Sequence, residues 1–167
     1  MIVEYGIESC YNQTLERINR GHTFEKAVWA LEETKKRGIK AGAHFIFGLP
    51  SESMEAMLAQ AKVISQLPLD TVKFHQLQII KGTIMEKEFA LNPNEFARFS
   101  VDSYIDFFID FVEQLSPNIV IERFAGEVPP KFLATPAWGL LRNDQLLAML
   151  EKRLVECDTW QGRLFMG

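Results

Sequence analysis

Cysteine is scarce in this sequence. Only Cys10 and Cys157 occur in the 167 residues, and neither has a second cysteine or a histidine at metal-ligand spacing. A disulfide framework and a metal site built from thiolates alone are therefore excluded. Cys10 follows an apolar strand pattern and no histidine is fixed beside it by spacing, so we expect an inert, buried thiol.

Basic runs and long apolar runs are also missing. Lysine and arginine together number 18 and the formal net charge is -4, which does not indicate binding of duplex nucleic acid through its phosphates. A small RNA substrate remains open. No apolar run approaches the roughly 20 residues that span a bilayer, and no positive region followed by an apolar stretch opens the chain. We therefore expect a cytoplasmic protein without membrane contact.

What is present is an alternation of strand and helix patterns. Residues 2–8 alternate apolar and polar side chains at period two, which is typical of a strand. Because the chain opens directly inside this strand, we expect that it was cut from something longer. Further strands are predicted over 40–47, 71–80 and 119–121. Helices are predicted over 12–18, between Thr23 and Gly38, from Met54 to Ile64, from Asn92 to before Pro117, and from a cap at Asn143.

This alternation predicts the α/β class with parallel strands. Lys81-Gly82-Thr83 begins an irregular connection, and residues 126–138 form a long loop. Two architectures fit the pattern equally well: an open doubly wound sheet and a piece of a β/α barrel.

Polar side chains recur on or near the predicted strand ends, at Glu8, His44, His75 and Glu122. One polar residue at a strand end is usually a satisfied structural group. Their recurrence on successive strands brings the functional interpretation level with the structural one, because the carboxyl ends of barrel strands carry the chemistry.

Several short motifs follow one another along nearly the whole chain. They are Tyr5-Gly6-Ile7-Glu8-Ser9, Ile18-Asn19-Arg20-Gly21-His22-Thr23, His44-Phe45-Ile46-Phe47-Gly48-Leu49-Pro50, Val72-Lys73-Phe74-His75, Lys81-Gly82-Thr83 and Glu122-Arg123-Phe124-Ala125-Gly126. The series resembles the radical S-adenosylmethionine (SAM) superfamily, in the branch that includes oxygen-independent coproporphyrinogen oxidase and the Elongator catalytic subunit. Within that branch it is similar to an Elongator-like bacterial subgroup.

The resemblance implies the second half of a partial (β/α)6 barrel, with strands four to six and a following strand in residues 1–125. Residues 126–167 would form a loop and a carboxy-terminal helical extension. It also implies SAM as a cofactor. The family's cluster-binding loop, Cys-x-x-x-Cys-x-x-Cys, does not occur here, so the 4Fe-4S cluster is expected in the parent protein only.

The resemblance further implies cofactor-binding residues. Glu8 matches a glutamine that contacts the cofactor, and Arg20 matches an arginine near its carboxylate. His44 stands where the family has an aspartate, which keeps hydrogen bonding but removes a fixed negative charge. Ile46 matches the apolar seat of the adenine, and Leu77 completes that seat. No catalytic residue and no metal ligand is expected in the chain.

Other hypotheses remain open at this point. The first hypothesis is a radical SAM fragment that is inactive alone. The second is a binding module that lacks a cluster and acts with another chain. The third is an unrelated β/α barrel enzyme that uses Glu8 and His44 as an acid–base pair. As partners we expect the missing amino-terminal half of the barrel and an unknown substrate, RNA- or nucleotide-related or a tetrapyrrole. Self-association through the exposed edge of the first strand is also expected.

Overall fold

The fold is built on one four-stranded sheet. The computed structural model describes residues 1–135, 138 and 141–167. Its strands lie side by side in chain order: β1 (Ile2–Glu8), β2 (Lys40–Phe47), β3 (Thr71–Gln76) and β4 (Val120–Arg123). All three neighbouring pairs are parallel, so each connection has to cross over the sheet. The predicted α/β class with parallel strands is confirmed.

Helices form every crossover. They are α1 (Asn12–Arg17), α2 (Phe24–Lys36), α3 (Met54–Ser65), α4 (Ile84–Leu91), α5 (Val101–Gln114) and, after β4, α6 (Asn143–Glu156). The Thr23 hydroxyl accepts a hydrogen bond from the Lys26 backbone N–H at the start of α2, as the sequence predicted. Such a cap satisfies one of the unpaired amides of the first helical turn.

The core lies between one face of the sheet and the helices. Phe47 of β2 and Phe74 of β3 stack with ring centroids 5.2 Å apart. Phe107 and Phe111 of α5 meet the Phe47 ring edge-on, each at 4.9 Å. Edge-to-face and stacked pairs at these distances add to the stabilisation from burying the rings.

The opposite face of the sheet is polar and partly accessible. Because side chains alternate along a strand, the residues next to the core positions point away from the helices. On this face lie Glu4 of β1, His44 of β2, Lys73 and His75 of β3, and Glu122 of β4. We call these five residues the polar face.

The prediction for the third strand was wrong at its carboxyl end. The strand ends at Gln76 instead of residue 80, although the Leu77 N–H still donates to the Phe47 carbonyl at 2.7 Å. Beyond that point the chain leaves the sheet, and Ile80 makes an antiparallel bridge to Leu133. The apolar pattern of 77–80 therefore reflects pairing with a distant loop.

Other boundaries also differ from the predictions. Helix α4 lies where an irregular connection was predicted, and Asn92-Pro93 begins only a short 3-10 turn, Pro93–Glu95. The long helix starts at Val101 behind a Ser100 cap. Helix 12–18 ends at Arg17, the last strand runs over Val120–Arg123 instead of 119–121, and Asn143 is the first helical residue of α6, not its cap.

The predicted loop 126–138 is irregular over its described residues, apart from a 3-10 turn at Pro130–Phe132. Pro136 and Ala137, within this loop, lie outside the described residues, as do Gly139 and Leu140.

Candidate functional site

Glu8 and Arg20 meet at the carboxyl end of β1. The Arg20 Nη2 atom donates to the Gly6 carbonyl at 2.5 Å, and its Nε atom lies 3.6 Å from the Glu8 carboxylate. Nε is buried and has no hydrogen-bond partner among the described residues. Burial raises the pKa of the Glu8 carboxyl, and the positive charge of Arg20 acts in the opposite direction. The pair thus combines a partly desolvated acceptor with an unused guanidinium donor.

Gly6 makes this approach possible. A Cβ atom at this position would lie 2.5 Å from the Glu8 Oε1 atom and 2.7 Å from Arg20 Nη2. Glu8 itself has a positive φ of 74°, a conformation that costs free energy for a residue other than glycine.

Charged side chains of the polar face form a network across all four strands. The Glu4 carboxylate receives a hydrogen bond from Lys73 and lies 3.3 Å from His44 Nε2. Lys73 also lies 3.3 Å from the carboxylate of Glu122. Hydrogen bonding to Lys73 lowers the pKa of Glu4, so Glu4 is an ionised acceptor at neutral pH.

The Glu4 side chain reaches from β1 across β2 to Lys73 on β3, and it can do so because Gly42 of β2 has no side chain. Glu4 and Gly42 are register partners on β1 and β2. A Cβ atom on Gly42 would lie 3.3 Å from the Glu4 Cγ atom and 2.7 Å from the hydroxyl of Thr71 on β3. The missing side chain leaves a passage over β2 for the glutamate.

His75, Ile46 and Leu77 lie at the carboxyl end of the same face. Ile46 and His75 are register partners, and Leu77 follows His75 by two residues on the extension of β3. The rings of His75 and His44 are 5.9 Å apart. Burial, together with the neighbouring His44, lowers the pKa of His75, so the neutral imidazole is favoured there. Ile46 and Leu77 are half-buried and present apolar surface beside these rings.

Two family models match the chain. The Radical SAM C-terminal domain matches residues 69–156, which is more than half of the chain, and the Radical SAM superfamily matches residues 2–62. This chain belongs to the radical SAM superfamily. It carries the carboxy-terminal portion that this family shares.

Radical SAM relatives span the chain almost completely. An uncharacterised protein of Methanocaldococcus jannaschii is 34% identical over 164 residues, which cover 98% of this chain and 50% of that protein. YtqA of Bacillus subtilis is 31% identical over 163 residues, which cover 98% of this chain and 50% of YtqA. The tRNA uridine(34) acetyltransferase of M. jannaschii is 25% identical over 159 residues, which cover 93% of this chain and 29% of the acetyltransferase. The chain thus spans about half the length of the first two relatives.

A solved radical SAM structure has the same fold. Elp3 of Methanocaldococcus infernus with an amino-terminal deletion superimposes with a TM-score of 0.80 at 22% identity, over 96% of this chain and 37% of that chain. The four parallel strands therefore form part of a radical SAM barrel. Of the two architectures that the sequence left open, the barrel piece is the correct one.

Membership of the radical SAM superfamily implies SAM and a 4Fe-4S cluster in the parent protein. The described residues contain no group of three or more His, Cys, Asp or Glu side chains that could hold a metal ion. The Glu8–Arg20 pair fits SAM: the Arg20 guanidinium, whose Nε atom has no hydrogen-bond partner in the described part of the chain, can donate to a carboxylate, and Glu8 can accept from hydroxyl groups. Among the described helices, none is long and apolar enough to cross a membrane.

The structure brings together some of the predicted site residues and separates others. Glu8 contacts Arg20, and Ile46 and Leu77 lie on one side of the sheet end. His44 lies within β2, and its Nε2 atom lies 3.3 Å from the Glu4 carboxylate. The roles of the predicted cofactor-binding residues remain predictions.

The sequence analysis missed Glu4 and Lys73 as site residues. Both occupy alternate positions of predicted strands, which was the available signal. Their contact depends on strand order and register across β2, and neither can be obtained from spacing along the chain.

A buried carboxyl next to the site was also missed. Glu52 is 6% exposed; its carboxylate accepts from the Ser9 hydroxyl at 2.5 Å and from the Gln60 amide at 3.0 Å. Gln60 in turn accepts from the Cys10 backbone N–H at 2.9 Å. This network fixes the turn that follows Glu8. Burial raises the pKa of the Cys10 thiol, in agreement with the expectation that Cys10 is inert.

Proposed function

We propose that this chain supplies one wall of the SAM-binding site of a radical SAM enzyme whose cluster ligands lie outside these 167 residues. The observation that carries the proposal is the Arg20 guanidinium, held beside the half-buried Glu8 at the carboxyl end of a barrel strand. Its Nε atom is buried and has no hydrogen-bond partner among the described residues. A buried donor without a partner costs free energy unless a ligand satisfies it.

In this proposal the adjacent side chains of Arg20 and Glu8 bind two neighbouring parts of one ligand. The planar guanidinium of Arg20 binds the carboxylate of the methionine part, because its fork of N–H groups matches carboxylate geometry. Glu8 accepts hydrogen bonds from the ribose hydroxyls. Burial of Glu8 strengthens these bonds, since competing water is excluded from the carboxylate.

His44 retains the acceptor that the family's aspartate provides. The ionised Glu4 can only accept, so His44 Nε2 is the donor in this contact, and Glu4 favours the tautomer with its proton on Nε2. Nδ1 is then the free acceptor, available to a ribose hydroxyl. In this way Glu4 sets the tautomer of His44 and compensates for the missing aspartate.

Ile46 and Leu77 form the apolar wall for the adenine ring. Their half-buried side chains lie on neighbouring strand ends, and a flat purine is bound well by apolar walls with backbone polar groups at the edge. When bound, SAM and the cluster supply a 5′-deoxyadenosyl radical that abstracts hydrogen from the substrate. We propose a nucleotide- or RNA-related substrate, which the likeness to proteins named tRNA uridine(34) acetyltransferases supports.

The test is made on the full-length protein, expressed anaerobically with its cluster reconstituted and then reduced. We expect formation of 5′-deoxyadenosine from SAM. Arg20→Lys keeps the charge and removes the fork, and should weaken SAM binding by about tenfold, the loss of one charge-assisted hydrogen bond.

Arg37→Lys is the matched control, since Arg37 is exposed at the end of α2 and pairs with Glu33. It should leave SAM binding unchanged. A well-loaded protein that forms no 5′-deoxyadenosine would refute the proposed chemistry, and equal SAM affinities of the two variants would refute the role of Arg20.

A further inference from the structure

A cavity of about 480 Å³ opens beyond the carboxyl end of β3. Leu77 is part of its lining, so the cavity adjoins the proposed adenine wall. Its volume lies within the range of about 300–1,000 Å³ in which small-molecule ligands are bound. The site residues discussed so far, apart from Leu77, do not line it.

The walls of the cavity are fixed by backbone hydrogen bonds. The Ala134 N–H donates to the Ile79 carbonyl at 2.8 Å, and the Lys81 N–H donates to the Phe132 carbonyl at 2.8 Å. Together with the bridge between Ile80 and Leu133, these bonds hold the loop wall against the extension of β3. A wall fixed in this way loses little conformational entropy when a ligand binds.

Aromatic side chains form the apolar part of the lining. Phe89, Phe99 and Trp138 line the cavity and are only half-buried. Each ring packs on one side against the protein, Phe89 against Arg98 and Phe96 and the other two against Tyr104, and its remaining exposed surface faces a ligand. The indole N–H of Trp138 donates to the Phe99 carbonyl at 2.9 Å, which orients that ring. Rings presented in this way stack on planar groups.

The charged part of the lining is positive. Arg98 lines the cavity and is exposed, and no carboxylate in the described part of the chain lies within ion-pair distance of its guanidinium. Ser100, the N-cap of α5, lies at the same wall. The amino end of a 14-residue helix adds partial positive charge beside Arg98.

We propose that this cavity is the substrate subsite, and that it binds a planar ring carrying an anionic group, with the ring on the aromatic side chains and the anion on Arg98. This proposal rests on the proposed function: the cavity is next to the reacting part of the enzyme only if the adenine of SAM lies on the other side of Leu77. A nucleoside phosphate and a pyrrole carboxylate share this chemistry.

The experiment is calorimetric titration of the full-length protein with uridine 5′-monophosphate, uridine and porphobilinogen, a single pyrrole ring with carboxylates. Arg98→Gln removes the anion contact, and Gln78→Trp fills the cavity from the extension of β3. Lys62→Gln, which removes a positive charge from an exposed position of α3, is the control.

We expect uridine 5′-monophosphate to bind and Arg98→Gln to weaken it by about tenfold, the loss expected for one hydrogen bond to a charged group. The same variant should leave uridine affinity unchanged, while Gln78→Trp should weaken both. Binding of porphobilinogen alone, with the same dependence on Arg98, supports the ligand class and assigns the pyrrole source. If no probe binds, or if binding is insensitive to both variants, the inference is overturned.

Titration with S-adenosylhomocysteine in the same samples separates this inference from the proposed function. If S-adenosylhomocysteine binds and no ring probe does, only the cavity assignment fails. If a ring probe binds with the expected Arg98 dependence but S-adenosylhomocysteine does not, the proposed SAM wall fails while the ring-binding cavity stands.

Discussion

Replacing Gln76 by leucine removes the amide that joins the end of β3 to the segment after β4. The Gln76 Oε1 atom accepts from the Gly126 N–H at 2.7 Å, and its Nε2 atom donates to the Gly126 carbonyl at 3.0 Å. Gln76 is 9% exposed, and Gly126 is buried as well. The two Gly126 backbone groups would therefore lose their partner at a buried position.

The size of the effect follows from this geometry. Each buried backbone group left without a partner costs about 1–3 kcal/mol. Two such groups at Gly126 give an expected loss of about 2–6 kcal/mol in the free energy of unfolding. Leucine is close to glutamine in volume, so cavity formation adds little. Against a total stability of about 5–15 kcal/mol, this is a large loss.

Urea unfolding of the variant measures this loss, with Gln13→Leu as the control because Gln13 is exposed on α1. The control should change the free energy of unfolding by no more than about 0.5 kcal/mol. Hydrogen exchange of the Gly126 amide should also accelerate in the Gln76 variant. A loss below about 1 kcal/mol, with the Gly126 amide equally protected, would refute the reasoning from buried unsatisfied groups.

Two further predictions concern buried polar groups. The fully buried Tyr104 hydroxyl donates to the Phe124 carbonyl at 2.5 Å, so Tyr104→Phe should lower the free energy of unfolding by about 1–3 kcal/mol; an unchanged urea midpoint would contradict this. Burial raises the pKa of the Glu52 carboxyl in the folded state. The folded protein therefore keeps this proton to higher pH than the unfolded chain does. As the pH rises above the pKa of the unfolded chain, this group lowers the free energy of unfolding. The free energy of unfolding of Glu52→Gln, relative to that of the unmodified protein, should therefore be higher at about pH 7 than at about pH 4. Urea unfolding at both pH values measures this difference. A difference that is the same at both pH values, or smaller at pH 7, would count against the prediction.

Local patterns predicted the elements whose signals are complete within a few residues. β1 shows its alternation and α2 its Thr23 cap, and both occur as expected. Helix α4 was missed because none of its residues is buried, so no apolar stripe marks it. The start of α5 was misplaced because the cap signal at Asn92-Pro93 competes with the capping box at Ser100, and only the latter leads into the amphipathic stripe.

Long-range pairing explains the remaining errors. Leu77 and Ile80 continue the apolar pattern of β3, yet the chain turns after Leu77 because Ile80 finds a partner in Leu133. In the site, Glu8 and Arg20 were predicted through the family resemblance. The contact between Glu4 and Lys73, which are 69 residues apart, requires the assembled sheet and has no local signature.

The passage that Gly42 leaves over β2 has a consequence for how this sequence can vary. A Cβ at position 42 crowds both the Glu4 stem and the Thr71 hydroxyl, so a larger residue there is compatible only with a shorter side chain on one of the neighbouring strands. A shorter residue at position 4 would in turn leave Lys73 with Glu122 as its only carboxylate partner among the described residues. Positions 4, 42, 71 and 73 are therefore expected to change together among relatives, so that a single substitution at any of them is less tolerated than a matched pair.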